Sequence, residues 1–387
     1  MIINRPFRGI ALALLIACTA NARAGKLEKA FAALELHDYF KARTLLLTQV
    51  KKHPAAAWYG LSVIQGRDNN PFYHLDSAYA CLQRSDAAFT TTDDRERMRI
   101  KPLGVHDDAI RAQREHLYDL AWQEASALNT IDAYDRFAKN YERSARAEEA
   151  KILRDHLAYE EAREKNTAAA YEDFMLRYPE ARDIFLARSR AQEAIYREAT
   201  PDRSIEQYAT FIRASPESPY RRNAEDEIYR IATAPHTPAA FHRFILDWPK
   251  NPRVNEAWRA LYELSTKDLS TNTITSFLKT YPDYPFVTEL GSDYAIASLR
   301  LLPFRRDSLW GFIDEQGIER IKAQYDWVED FHNGQALVSR GERVGTINKN
   351  GKEVVAVQYD DVKEYTEGLA SVERGRTVGM VDRSGEL

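Results

Sequence analysis

Reactive chemistry in a folded chain needs particular side chains at particular spacings, and this 387-residue sequence carries few such arrangements. Its nine histidines, among them His53, His74, His106, His116, His156, His236, His242 and His332, form no His-Glu-x-x-His run and no i, i+4 pair with a third ligand. Only two cysteines are present, Cys18 and Cys81, so no cysteine cluster completes a zinc site. Asp93-Asp94 and Asp107-Asp108 are adjacent acids, an arrangement that suits a solvated polar face better than a general acid–base pair. No glycine loop precedes a helix to cradle phosphate, and no Gly-x-Ser-x-Gly elbow offers a nucleophile. Asp314 and Asp382 stand beside glycine turns and invite a calcium reading, but the alternating ligands of a calcium loop are missing and turn capping explains them more simply. The basic stretches Pro219-Tyr220-Arg221-Arg222 and Arg305-Arg306 are candidate contacts for an acidic partner, against which stands the plainer reading of solvated helix and linker ends. The expectation is a chain with no catalytic, cofactor or metal site, and not an enzyme.

The composition agrees with a folded protein of more than one unit: 44% hydrophobic, 29% charged, with few Gly and Pro. Arg5 and Arg8 followed by the nine-residue apolar run Gly9 to Ala17 have the form of an export signal and fall far short of a membrane span. The net charge of -4 becomes about -6 once those two arginines are removed, which argues against nucleic acid as a partner. Leu15-Ile16-Ala17-Cys18 resembles the bacterial lipobox, in which the cysteine becomes the lipidated first residue of the mature protein. The resemblance implies a signal segment over residues 1–17, lipidation at Cys18 and attachment to a membrane by lipid anchor. Small-x-small sites at Ala20 to Ala24 leave an alternative cut near 22–24 and a soluble periplasmic product. With Cys18 lipidated, Cys81 is a lone thiol, and its apolar surroundings from Ser77 to Leu82 point to burial.

From residue 26 to about 295 the chain reads as helix after helix, with apolar residues at three- and four-residue intervals. Within residues 26–130, Ala30 to Leu46 and Ala57 to Ile64 are expected to form a first helical hairpin broken at His53-Pro54. Residues 90–107 are the least regular part, either a long loop or a short helix between two turns. Over 131–295 a repeat is explicit: Tyr134, Phe137 and Tyr141 recur as Tyr171, Phe174 and Tyr178, as Tyr208, Phe211 and Ser215, as Phe241, Phe244 and Trp248, and as Ile274, Phe277 and Tyr281. The anchors lie 37, 37, 33 and 33 residues apart, and a proline follows the third position in the last four units. Spacing of i, i+3 and i+7 puts three large groups on one helical face, and proline ends the helix before it. Each unit is then a helical hairpin that buries its apolar face only by stacking on its neighbours. The phrasing from Tyr171 to Pro179 resembles the tetratricopeptide-like repeats of bacterial envelope assembly lipoproteins, which implies a protein-docking platform.

From about Leu301 the pattern changes to short β-branched and aromatic runs between glycine turns. Gly311, Gly345 and Gly379 are 34 residues apart, as are Gly317, Gly351 and Gly385, and the pairs Tyr325/Tyr359, Asp326/Asp360, Phe331/Tyr365, Gly334/Gly368 and Gly341/Gly375 keep the same period. Trp310-Gly311, Gln324-Tyr-Asp326 and Phe331 to Val338, with their second copies, resemble the WG-containing repeat family over residues 301–387, although the tryptophan is valine at 344 and 378. The expected fold is thus mainly α: a helical-hairpin solenoid, tetratricopeptide-like, followed by a small all-β repeat domain of WG type. The expected function is that of a non-catalytic cell-envelope lipoprotein, exported, anchored to the outer membrane and facing the periplasm or the cell surface. It would serve as scaffold or accessory subunit to envelope or outer-membrane proteins. The alternative is a glycan- or peptidoglycan-binding protein, which asks for exposed aromatics on one face of the β-module at Trp310, Tyr325, Trp327 and Tyr359.

Overall fold

A computed structural model describes residues 25–366, 368–383 and 385–387. The export segment and Cys18 therefore lie outside the described residues. The chain is mainly α-helical with a small antiparallel β-module at its C-terminal end, and it divides into two compact units, Met1–Ala194 and Ile195–Leu387.

The first unit opens with α1 (Lys26–Glu35), α2 (Tyr39–Gln49), α3 (Pro54–Gln65) and α4 (Leu75–Thr90). The stretch expected as one helix from Ala30 to Leu46 is two, because His37 adopts a left-handed conformation (φ 59°) and the Asp38 carboxylate accepts the Lys41 N–H to start α2. Pro54 takes the first position of α3, where its missing N–H costs nothing. The irregular stretch after residue 90 contains a short helix, α5 (Asp94–Ile100), and a 3-10 turn that Gly104 closes at φ 76°. Then follow α6 (Asp107–Leu128), α7 (Ile131–Asn140), α8 (Ala147–Lys165), α9 (Ala168–Arg177) and α10 (Ile184–Ala199), within which the division between units falls. Cys81 is buried in the core of this unit, its thiol 3.3 Å from Gln65 Oε1, and burial pushes its pKa up.

The second unit continues the helical series with α11 (Ile205–Ala214), α12 (Arg221–Ala232), α13 (Pro238–Asp247), α14 (Val254–Ser265), α15 (Thr271–Thr280) and α16 (Leu290–Ser298). Each repeat is built the same way. A hydroxyl at Thr130, Thr167, Ser204, Thr237 or Ser270 accepts the N–H three residues on and so starts the helix that carries the anchors. The residue just before each hydroxyl, Asn129, Asn166, Arg203, His236 or Leu269, has φ between 46° and 53°. The second and third anchors then set the helix end, since the N–H of Tyr141, Tyr178, Ser215, Trp248 or Tyr281 closes on the carbonyl of the phenylalanine four residues earlier. The anchor phenylalanines Phe137, Phe174, Phe211, Phe244 and Phe277 are all buried. This helix packing is that of a solenoid.

Among the described residues ten strands form the β-module: β1 (Leu302–Arg306), β2 (Leu309–Ile313), β3 (Glu319–Tyr325), β4 (Trp327–Val328), β5 (Gln335–Arg340), β6 (Arg343–Asn348), β7 (Glu353–Tyr359), β8 (Asp361–Val362), β9 (Leu369–Arg374) and β10 (Thr377–Asp382). They make three antiparallel sheets, ordered β1-β2-β3, β4-β5-β6-β7 and β8-β9-β10. The sheets stack. Phe312 of the first meets Ala336, Val338 and Ile347 of the second in one core, and Leu337 and Val344 of the second meet Ala370, Val372 and Val381 of the third in another. Stacking explains why Ala336 and Val338 on one face of β5 and Ser339 on the other are all buried, where a single ribbon would leave one face wet.

Candidate functional site

The template residues of the β-module are explained by its stacking. Added to Gly311, a Cβ would lie 2.5 Å from the Ile321 carbonyl oxygen, and added to Gly345 it would lie 2.6 Å from that of Val355. Both glycines face the irregular register where β2 meets β3 and β6 meets β7, so nothing larger fits. Asp326 and Asp360 carry the link from one sheet to the next: each carboxylate accepts the N–H of the following hairpin's glycine, Gly341 at 2.6 Å and Gly375 at 2.5 Å. Those glycines have φ 58° and 63°. At the turn after β2, Asp314 accepts the Gln316 and Ile318 N–H groups and pairs with Arg320 at 2.7 Å. Burial alone would raise its pKa, but the Ile318 N–H, the Arg320 guanidinium and the Gln316 N–H together hold it below the usual carboxylate value. Asn348 does the same work in the second copy without a charge, accepting from Asn350 and Lys352. These aspartates are turn caps, as their spacing suggests.

Tyr325 is fully buried and Tyr359 nearly so, while Trp310 is half-buried and Trp327 is 45% exposed. Trp310 and Tyr325 are cross-strand partners, and both tyrosines are core residues. Arg340 lies over the Tyr325 ring at 4.9 Å and Arg305 lies 5.9 Å from the Trp310 ring. The basic stretches are held by neighbouring carboxylates: Arg221 pairs with Glu225 at 2.9 Å, Arg222 with Asp226 at 3.6 Å and Arg306 with Glu319 at 2.8 Å.

Within the second unit the β-module is clasped to the helices. Asn348 donates to the Lys267 carbonyl at 2.9 Å, and the Lys349 ammonium donates to the Ala297 and Leu299 carbonyls at 2.5 and 2.6 Å, satisfying the end of α16. Gly334, at φ 88°, packs so tightly on the Asp268 carbonyl that a Cβ would lie 2.5 Å from it. Beside this clasp, between α14, α16 and the turn joining β6 to β7, opens a cleft of about 710 Å³. Buried Tyr284, Leu290 and Leu269 supply apolar walls. Two of its ion pairs are internal, Arg259 with Glu289 at 3.3 Å and Lys352 with Glu263 at 3.5 Å, and the Tyr262 hydroxyl donates to Asp293 at 3.0 Å. Burial and then the Asp293 charge push the Tyr262 phenol well above its usual pKa, so it stays a neutral donor. The carboxylates Glu263, Glu289, Asp293, Glu353 and Glu386 outnumber the cations Arg259, Lys267 and Lys352. A lining of mixed apolar and polar groups with a slightly acidic rim can hold a polypeptide segment. Sequence reasoning missed this cleft because its residues come from two helices, the loops between them and a β-turn that have no shared pattern.

A smaller cavity of about 260 Å³ in the first unit is bordered by Asp76 and Tyr141, whose hydroxyl donates to that carboxylate at 2.7 Å. Tyr79 and Tyr118 join hydroxyls at 3.0 Å nearby, and burial raises the pKa of both Tyr118 and Tyr141. They are neutral packing groups with satisfied hydroxyls. Among the described residues no group of three or more His, Cys, Asp and Glu is placed to hold a metal ion, and no helix is long and apolar enough to cross a membrane.

Comparison with known families matches the WG containing repeat to residues 310–343 and 345–376. The two matched stretches are the copies whose glycines and aspartates are described above, so the C-terminal module is a WG-type β-repeat segment. No curated protein and no solved structure matches the chain.

Proposed function

We propose that the protein is a non-catalytic scaffold of the cell envelope, exported, lipidated at Cys18, and held at the outer membrane while its helical hairpins and β-module dock a protein partner. The observation that carries the reading is the cleft of about 710 Å³ beside the clasp, with apolar walls at Leu269, Tyr284 and Leu290 and an excess of carboxylates on its rim. A segment of an envelope protein with apolar and basic residues matches both its lining and its excess of carboxylates. The repeat architecture supports the same reading, since stacked hairpins supply extended surfaces suited to binding other chains. The Leu15-Ile16-Ala17-Cys18 pattern supports the anchor. Tyr325 and Tyr359 are buried, which leaves Trp310 and Trp327 of the four aromatics for the alternative reading of a glycan-binding face.

Site-specific photo-crosslinking tests the docking claim. A photoreactive residue replacing Glu263 on the rim is expected to give one discrete adduct in native membranes, lost when Leu269→Arg fills the cleft. A probe at exposed Arg111, far along the first unit's sequence, serves as control. Equal adducts from both positions, or none from Glu263, would overturn the assignment of this cleft.

A further inference from the structure

The 34-residue period lets the two junctions between the sheets of the β-module be compared position by position. The core of the first junction includes Ile321, Tyr325, Val328, Ala336, Val338 and Ile347, and the second repeats them as Val355, Tyr359, Val362, Ala370, Val372 and Val381. Four other residues of the first core have polar counterparts: Leu299, Leu301, Phe312 and Phe331 correspond to Asn333, Gln335, Thr346 and Tyr365. All four of those polar residues line one cavity of about 260 Å³ where the second and third sheets meet. At the first junction the Phe312 and Phe331 rings meet edge-on at 4.7 Å, and the space beside Leu301 and Phe331 is walled by Ser270, Thr271 and Asn272 at the start of α15. At the second, the module's own loops bring Glu329, Asp330, His332, Lys363 and Glu364 to the cavity.

The floor of this cavity is a hydrogen-bonded cluster. Gln335 is 6% exposed and Thr346 3%. The Gln335 carbonyl oxygen accepts the Thr346 hydroxyl at 2.7 Å and the Tyr365 hydroxyl at 3.3 Å, and its amide donates to the Arg383 carbonyl at 3.1 Å. Burying such groups where the same template accepts apolar ones gains no stability, and local departures of this kind mark sites of function. At the mouth, the carboxylates of Glu329, Asp330 and Glu364 face the cations Lys363 and Arg383 and the His332 imidazole. Lys363 is paired with Asp361, and the Arg383 guanidinium lies 5.3 Å over the Tyr365 ring. Charges of both signs nearly balance, so the cavity favours neither an anion nor a cation. It favours a neutral ligand rich in both donors and acceptors, whose hydroxyls bond carboxylates and guanidinium alike. The volume lies below the about 300 Å³ at which drug-sized pockets begin, which limits the ligand to one small ring. We propose that this cavity binds a single neutral pyranose unit, either a free sugar or the terminal residue of a glycan. Neither Trp310 nor Trp327 lines it, and the inference depends on neither the docking cleft nor the lipid anchor.

Ligand-observed NMR titration of the full-length protein, in a detergent without a sugar headgroup, tests it. Glucose and N-acetylglucosamine are the probes and glucuronate the anionic control, each raised to about 10 mM, a range that populates contacts with Kd near 1 mM. At least one neutral sugar is expected to bind, about 10-fold or more tighter than glucuronate; no binding of either neutral sugar, or equal binding of glucuronate, overturns the proposal. The linked dimer of N-acetylglucosamine separates the two sources, since affinity kept or raised in the dimer assigns the site to a glycan end and affinity lost assigns it to a free sugar. Gln335→Leu with Thr346→Phe and Tyr365→Phe copies the side chains of the first junction. This variant is expected to keep a wild-type melting curve and to lose binding by about 10-fold or more; a folded variant that binds as the wild type does places the sugar elsewhere and overturns the site. Tyr365→Phe alone, which removes one hydroxyl and keeps the ring, reads the same site should the triple variant not fold. It is expected to weaken binding by about 5-fold, and unchanged affinity counts against the cavity.

Discussion

Gly345 meets the neighbouring strand so closely that its hydrogen is the largest group the site admits, with Val355 and Val357 backbone atoms 2.6 to 2.7 Å from any added Cβ. Gly345→Ala is therefore expected to destabilise the β-module by ~1–3 kcal/mol, the usual cost of forcing atoms into a packed site. Gly368→Ala is the comparison, because Gly368 has φ 90° with open space around it, so an added Cβ meets only the strain of a left-handed backbone, ~1 kcal/mol. Urea midpoints of the two variants measure the difference, and equal losses would remove the steric account of the WG glycine. Asp314 gives a pH dependence. Its pKa is depressed in the folded state, so its stabilisation is fully present above the unfolded value of about 3.9 and is lost as pH falls through the folded value. Asp314→Asn keeps an oxygen for the turn, as Asn348 does, and removes the charge opposite Arg320. The wild type should lose melting temperature more steeply than the variant between pH 5 and pH 2; parallel curves would contradict the assignment. The 34-residue glycine template was readable in the sequence, but the reasons for it were not. A glycine that relieves a bulged neighbour and one that takes positive φ look alike as letters. The left-handed positions at Arg203, His236 and Leu269 carried no signal at all, since residues other than glycine occupy them.

At the scale of elements, the anchor spacing fixed the hairpins because three large groups at i, i+3 and i+7 have one place to go. Phe244 of α13 is fully buried against Tyr229 of α12, whose ring lies 5.2 Å away edge-on. Phe244→Ala is expected to cost ~3–5 kcal/mol, read as a lower midpoint of chemical unfolding. Exposed Leu246, two residues on in the same helix, should tolerate alanine with a loss of under about 0.5 kcal/mol. The clasp on the β-module was not legible, because Lys349 and Asn348 look like ordinary hairpin-turn residues. Their partners are backbone carbonyls, which any sequence supplies. Lys349→Met strips the Ala297 and Leu299 carbonyls of their donor and should weaken the seam by ~1–3 kcal/mol. Lys352→Met breaks only a well-exposed pair with Glu263 and should change stability by under about 1 kcal/mol. Hydrogen exchange across α16 separates the two: faster exchange in Lys349→Met alone is the expected result, and equal rates would contradict the clasp.

For the molecule as a whole, the change of period from helical hairpins to a 34-residue β-repeat separated the two architectures in the sequence alone. The single helix expected from Ala30 to Leu46 failed because a left-handed histidine can break a continuous apolar stripe without a proline or glycine to mark the place. The proposed docking cleft emerged only from the fold, which brings residues of α14 and α16 beside a β-turn far away in sequence. A lipid-anchored scaffold in a stable complex is tested by affinity purification of the full-length protein from native membranes under mild detergent, with intact-mass analysis of the recovered chain. The expected result is stoichiometric recovery of an envelope protein together with a chain that begins at Cys18 and carries lipid. A soluble chain recovered alone and beginning near Ala24 or Gly25 would contradict both the anchor and the scaffold.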